Sequence, residues 1–273
     1  MKGPFEFTAQ PELENPSIIV GWNGDIGKIA PGVIDFLNEK LGGHKFCSIE
    51  PNGFFSLGGV AVEGDYIRFP ESTFYYGQRK DLMIFKSDQP DHNHYTFLNS
   101  VLDVPGHYGQ IKELFTVSAM VSPIAHTSPR RIFAVFNQPE LQEMLQGYNL
   151  KGLTWEGPPA ISSFLLWIAR RREIPGLSLW LEVPFYLAVI EDLEAIKLTL
   201  SFFDRRFNLN LDLGELDVKI REQNEKIEQL RVENKEVNKY LGLLESGLGL
   251  KEEVQLKLAQ KIYEYFKRDR EMR

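Results

Sequence analysis

Residues 17–30 read SIIVGWNGDIGKIA. Ser17 to Trp22 predicts a strand, and the GDIG turn that follows leads into a helix near Lys28 to Leu41 with Ile29, Val33, Phe36, Leu37 and Leu41 at helical spacing. Short apolar runs then keep alternating with helical periodicity, the pattern of an α/β domain with a partly parallel sheet. KFCSIE, DLMIFKS, Leu114 to Val121, RIFAVF and Leu177 to Val183 read as further strands, and on the third of these Phe115, Val117, Ala119 and Val121 share a face. Helices are expected near Tyr95 to Leu102, Pro139 to Leu145, Ala160 to Arg171 and Glu191 to Phe207. Phe54 to Phe74, with turn signals at Gly58-Gly59 and Glu63-Gly64-Asp65, suggests a hairpin excursion.

The 273 residues are 43% apolar, 25% charged and 12% aromatic, which suits a folded domain with a substantial core and excludes disorder. A net charge of -7 argues against nucleic acid as a partner, because binding phosphates takes clustered Lys and Arg. The lone Cys47 can form neither an internal disulfide nor a multi-cysteine zinc site and is most simply a core residue, as in a reducing compartment such as the cytoplasm. The N-terminal MKGPFEFTAQPELENP lacks the apolar stretch of a signal peptide, and no run approaches a membrane span, so no membrane association is expected.

Proline marks the main division. All 15 prolines lie at or before Pro184, and residues 212–273 hold 27 charged residues among 62. Residues 1–211 are therefore expected to form the α/β body and residues 212–273 a charged helical appendage. Stepping three and four residues alternately from Leu213 gives a heptad seam through Leu216, Ile220, Gln223, Ile227, Leu230, Asn234, Val237, Leu241 and Leu244. Two readings fit it. One is self-association through Ile220, Ile227, Leu230, Val237 and Leu241, with polar Asn234 fixing register. The other is an intramolecular hairpin that turns at Gly242, Gly247 and Gly249 and folds back through Val254, Leu258, Ile262 and Phe266.

Candidate chemistry gathers at predicted strand ends. Glycines 21, 24 and 27 do not make a dinucleotide fingerprint or a phosphate loop, although amides at the helix start could hold an anion and could equally just permit a tight turn. Trp22, Asn23 and Gly24 stand where open α/β sheets place ligand crevices. His126, among hydroxyls in SPIAHTSPRR, could act as a general base, and Arg130 or Arg131 could grip a carboxylate or phosphate; salt bridges are the plain alternative. Glu182 in LWLEVPFY could have a shifted pKa beside aromatics, or could pair with one of Arg170, Arg171 and Arg172, which themselves suit a helix C-terminus. His92 and His94 sit in a turn-like segment better read as a solvated loop than as metal ligands, and neither metal nor cofactor is expected.

Taken together, NPSIIVGWNGDIGKIAPGVIDFLNEKL, FTVSAMVSPIAHTSPRRIFAV, the EGPP helix start, LWLEVPFY and the closing DLEAIKLTLSFFDRRFNLNLDLGEL resemble the proteasome assembly chaperone 2 family over roughly residues 13–220. The resemblance implies a three-layer α/β/α domain similar to phosphorylase/hydrolase-like folds, commonly oligomeric, in a family whose eukaryotic members are non-catalytic assembly chaperones. It implies a homo-oligomer that binds a protein client. The alternative is a hydrolase- or phosphorylase-like enzyme using the strand-end residues on a small ligand. Some archaeal relatives dock through a C-terminal hydrophobic–Tyr–any-residue tail, which Glu271-Met272-Arg273 does not match.

Overall fold

The computed structural model describes residues 4–56, 61–63, 65–79, 81–154 and 160–271. Among these, the strands are β1 Phe5–Phe7, β2 Ser17–Trp22, β3 His44–Ile49, β4 Ala61–Glu63, β5 Tyr66–Arg68, β6 Ser72–Tyr76, β7 Leu82–Ser87, β8 Leu114–Ser122, β9 Ile132–Phe136, β10 Lys151–Gly152 and β11 Gly176–Pro184. The helices are α1 Ile29–Lys40, α2 His94–Gly106, α3 Ile161–Arg171, α4 Leu193–Phe207, α5 Gly214–Glu233, α6 Lys235–Glu245 and α7 Glu252–Glu271. Nine strands form one sheet in the order β1-β3-β6-β7-β2-β8-β11-β9-β10, and β4 and β5 make a separate antiparallel ribbon.

The expected parallel strand is at the centre. β2 runs parallel to β7 and to β8, with Ile18 opposite both Met83 and Leu114. A parallel strand in mid-sheet is covered on both faces, which is why all six residues from Ser17 to Trp22 are buried. Ile18, Val20 and Trp22 join a core with Phe97, Leu98 and Val101 of α2 and Leu165 and Ile168 of α3. On the opposite face α1 comes so close that a Cβ on Gly21 would lie 2.5 Å from Ile34 Cγ1 and 3.3 Å from the Ala30 carbonyl oxygen. Helices thus cover both faces of the sheet. Each fully buried aliphatic or phenyl side chain in these layers contributes about 1.5–3 kcal/mol.

The chain divides into two compact units. One comprises residues up to 24, 30–118 and 133–180; the other comprises 25–29, 119–132 and 181–273. In the first, the buried Asn137 donates to the carbonyls of Leu166 and Ile174 and accepts from Gly176 N at 2.8 Å, which fixes the end of α3 to the start of β11. In the second, α4 packs on α5, α5 on α6 and α7, and α7 on the short turn Phe185–Leu187.

Several local expectations shift. The helix expected at Pro139–Leu145 is a 3-10 segment, Pro139–Tyr148, which has no side-chain cap and ends where Asn149 turns left-handed. His94 does not lie in a loop but opens α2, while His92 stays outside it. Val121 is half exposed although it alternates with the buried Phe115, Val117 and Ala119. The hairpin excursion is present as β4 and β5, whereas Gly58, Gly59, Gly64 and the EGPP motif lie outside the described residues.

Candidate functional site

At the end of β2, Trp22 is a core residue: its ring meets Phe85 edge-on at 6.1 Å, and its indole N–H donates to Ser162 Oγ at 3.1 Å. Ser162 in turn bonds Ser118 Oγ at 3.1 Å. Asn23 donates its backbone N–H to the Ser87 carbonyl at 2.7 Å, and Gly24, with φ 76°, is exposed with open space beside it. In the other unit, the amide of Gly27 donates to the Ala188 carbonyl at 2.8 Å and that of Lys28 to the Asp25 carbonyl at 3.1 Å. The glycine turn therefore spends these amides on the protein itself. Gly27 is left-handed at φ 62°, a conformation that costs any other residue strain.

The second unit brings His126 and Arg130 together. Arg130 Nε donates to Asp192 Oδ2 at 2.7 Å and Nη2 to Oδ1 at 3.3 Å; its Nη1 reaches the Ser128 and His126 carbonyls at 2.7 and 3.2 Å. Asp192 also caps α4 by accepting from Ala195 N at 3.1 Å. The guanidinium thus closes the 125–130 loop onto the start of α4. Tyr186 places its hydroxyl against both the backbone N–H and Nδ1 of His126. Burial pushes the His126 pKa down to about 4 and raises the phenol of Tyr186 far above its usual value. His126 Nε2 has no hydrogen-bond partner, and Glu228 Oε1 of α5 stands 3.8 Å away. At neutral pH this is a contact between a neutral ring and a carboxylate, because burial outweighs the attraction of Glu228.

Glu182 sits apart from that set in a pair of its own. Its Oε1 accepts from Ser122 Oγ and Arg131 Nη2, both at 2.7 Å, and its Oε2 accepts from Arg131 Nε at 2.7 Å. Burial draws the carboxyl upward, and the bonds from Arg131 and Ser122 overcome this to hold it below the usual range. The partner is Arg131 rather than one of Arg170 to Arg172, because strand order sets β11 beside β9 and so places Glu182 next to the residues that enter β9. Asp192 was hidden in the sequence as the first polar residue before a helical period, an N-cap signal. Tyr186 and Ser162 gave no signal by spacing.

The seam is covered within the second unit, where α5 packs on α4, α6 and α7. Ile220, Ile227, Leu230, Val237 and Leu241 are buried within the single chain, as are Leu258, Ile262 and Phe266 of α7. Asn234 interrupts the helix instead of continuing the seam. It ends α5 at φ -127° and ψ 103°, and its side-chain oxygen caps α6 by accepting from Glu236 N and Val237 N at 3.1 and 3.2 Å. The turn lies beyond Ser246 with Gly247 left-handed, and Gly242 is inside α6. Among the described residues, no group of three or more His, Cys, Asp or Glu is arranged to hold a metal.

In the first unit, Tyr95, Leu98, Ile161, Phe164 and Trp167 line a groove of about 670 Å³ between α2 and α3. Tyr95 is 57% exposed, Phe164 and Trp167 47% each. The Tyr95 and Trp167 rings lie 6.3 Å apart, and the Arg171 guanidinium lies 5.0 Å above the Trp167 ring. Of the residues lining this groove only His94 was weighed as a ligand in the sequence, since exposed aromatics on a helix look like core until the helix is placed.

A family model, that of the PAC2 family, matches residues 18–231. No curated protein matches. Among solved structures, the chain is similar to an archaeal proteasome activator of Pyrococcus furiosus, PbaB, with 22% identity and a TM-score of 0.70 over 83% of this chain and 98% of that one. It is similar to the proteasome-assembly chaperone homologue Rv2125 of Mycobacterium tuberculosis, with 15% identity and a TM-score of 0.72 over 82% and 99%. It is also similar to Rv2714 of Mycobacterium tuberculosis, of unknown function, with 17% identity and a TM-score of 0.78 over 90% and 89%. At these identities the structures share a fold.

Proposed function

Because this chain belongs to the PAC2 family, we propose that it is an assembly-chaperone-like protein that binds a protein client and works in the cytoplasm as a homo-oligomer without catalysing a reaction. The observation that carries this reading is the internal pairing of the polar strand-end groups: Arg130 with Asp192, Glu182 with Arg131 and Ser122, and His126 with Tyr186. A hydrolase- or phosphorylase-like site needs such groups free to meet a substrate. No helix of the described residues is long and apolar enough to cross a membrane. The relatives whose names mention a proteasome favour a protein surface as the ligand.

We carry the division into a 1–211 body and a 212–273 appendage as part of the proposal, with self-association assigned to the appendage. Its inner seam being covered within the chain, the face left for a second copy is the outer one of α5, where Val218 and Val232 are exposed. Native affinity purification after cross-linking tests the whole reading. A recurrent protein partner in near-stoichiometric amount is the expected result, and a chain that elutes alone overturns it. Light scattering of the 1–211 fragment tests the appendage: a folded fragment of undiminished assembly mass removes it from self-association.

A further inference from the structure

We infer that Asn52 is the foremost site of spontaneous covalent modification in this chain. The Gly53 nitrogen closes on the Asn52 side chain to a succinimide, water opens the ring to aspartate or isoaspartate, and the isoaspartate form loosens the start of α2. This stands independently of what the protein binds. The chain has two Asn-Gly pairs, Asn23-Gly24 and Asn52-Gly53. Asparagine is a thermolabile residue, and a following glycine exposes it most, because no Cβ shields the attacking nitrogen.

The turn leaves the reacting groups of the second pair free. Asn52 and Gly53 are exposed and sit at the centre of a turn whose Pro51 carbonyl accepts from Phe54 N and Phe55 N at 3.1 and 3.2 Å. Gly53, at φ 82°, takes the left-handed conformation that a turn of this kind requires of its third residue. Nothing lies within 4 Å of the place a Cβ would occupy. Among the described residues, neither the Gly53 N–H nor the Asn52 side-chain amide makes a hydrogen bond, so none has to break before the nitrogen reaches Cγ. Asn23 differs: it is half-buried, it continues β2, and its own N–H is held by the Ser87 carbonyl at 2.7 Å.

The chemistry needs water alone. Water or hydroxide removes the Gly53 amide proton, the nitrogen bonds to Asn52 Cγ, and the Cγ–Nδ2 bond breaks with loss of ammonia. A water molecule then opens the ring. Cleavage between the nitrogen and Cγ leaves aspartate on the original backbone. Cleavage between the nitrogen and the main-chain carbonyl carbon leaves isoaspartate, whose main chain runs through Cβ and Cγ. Either way water is taken up, ammonia is released and a negative charge is gained, with no oxidant or reductant.

The flanks make the second product disruptive. Asn93, just before α2, donates Nδ2 to the Gly53 carbonyl at 2.8 Å, and Asp91 N and His92 N donate to the Phe54 carbonyl at 2.8 and 3.0 Å. Phe54 is buried with its ring edge-on to Phe97 at 5.1 Å. An extra main-chain carbon in so short a fastened turn has to loosen the Asn93 bond or shift Phe54. Aspartate does neither, because the backbone keeps its length and the charge stays in water.

Ageing the full-length protein in heavy-oxygen water at neutral pH, followed by peptide mapping with electron-transfer fragmentation, tests this. Asn52 is expected to convert ahead of Asn23 and of every other asparagine, to yield both products, and to carry heavy oxygen in the new carboxylate. Gly53→Ala should slow the conversion by at least about tenfold. Asn52→Gln, whose longer side chain must close a larger ring, should show none over the same period and serves alone if circular dichroism finds Gly53→Ala misfolded. The aged protein should unfold at a lower temperature than Asn52→Asp, which carries the charge without the added carbon and should match the fresh parent. An intact Asn52, earlier conversion of Asn23, or an undiminished rate in Gly53→Ala overturns the inference. So does aged protein rich in isoaspartate that melts together with Asn52→Asp.

Discussion

Arg130 and Asp192 face each other through two hydrogen bonds with 2% and 0% of their side chains exposed. Desolvating both charges offsets much of their attraction, so the pair is costly to break and cheap to replace as a whole. Asp192→Ala strands the guanidinium and uncaps α4; urea unfolding should show a loss of about 3–5 kcal/mol. Arg130→Met combined with Asp192→Leu should recover a large part of it. A single-variant loss below about 1 kcal/mol, the range of exposed pairs, would mean that water reaches the pair.

His126 makes stability fall in mild acid. Its folded pKa is about 4 because of burial, below the ~6.5 of an unfolded histidine, so the unfolded chain takes up the proton first. The contribution of the neutral ring is complete above about pH 6.5 and is lost as pH falls toward 4, by as much as ~3 kcal/mol. Unfolding free energies measured from pH 7 to 4.5 should drop less steeply for His126→Phe than for the parent. Equal slopes would show that the ring is not held neutral.

Asn234 is expected to act as a cap. Asn234→Ala should lower stability by about 1 kcal/mol, and Asn234→Asp, which keeps an acceptor at the same place, by much less. Thermal unfolding of the two variants separates this from a register role, which would appear as altered assembly mass with unchanged stability.

Gly21 is expected to be intolerant for steric reasons alone. A methyl group there meets Ile34 Cγ1 at 2.5 Å, and pushing α1 from the sheet costs about 1–3 kcal/mol. Ile34→Ala in the same chain should restore part of the loss, since it removes the Cγ1 that the methyl group meets. Denaturant midpoints of the single and double variants read this directly.

What could be read in the sequence follows from range. SIIVGW declares a buried strand because both faces are apolar, and the seam from Leu216 to Leu244 declares a packed helix, since each pattern is a local consequence of burial. What covers the seam is not local: α7, which carries the buried Leu258, Ile262 and Phe266, packs on α5 and α6, and α4 packs on α5 as well. Asn234 misled because one residue type serves two ends, a seam position or a cap, and its backbone angles decide between them. At the strand ends, His126 and Arg130 were visible within SPIAHTSPRR and Glu182 within LWLEVPFY. Their partners were not: Asp192 is 62 positions from Arg130, and Arg131 51 from Glu182. The groove was invisible for the complementary reason, since Tyr95 and Trp167 become exposed only when their helices are laid side by side.

The position of β2 between β7 and β8 has a consequence during synthesis. The ribosome delivers β2 early, yet neither neighbour exists until the chain has grown past Ser87 and then past Val117. Until then a strand of six core residues has unsatisfied backbone on both edges, the condition under which a nascent chain pairs with the wrong strand or with another chain. Pairings of such long sequence separation also form slowly. The centre of this sheet is thus the part of the nascent molecule most in need of protection on its way off the ribosome.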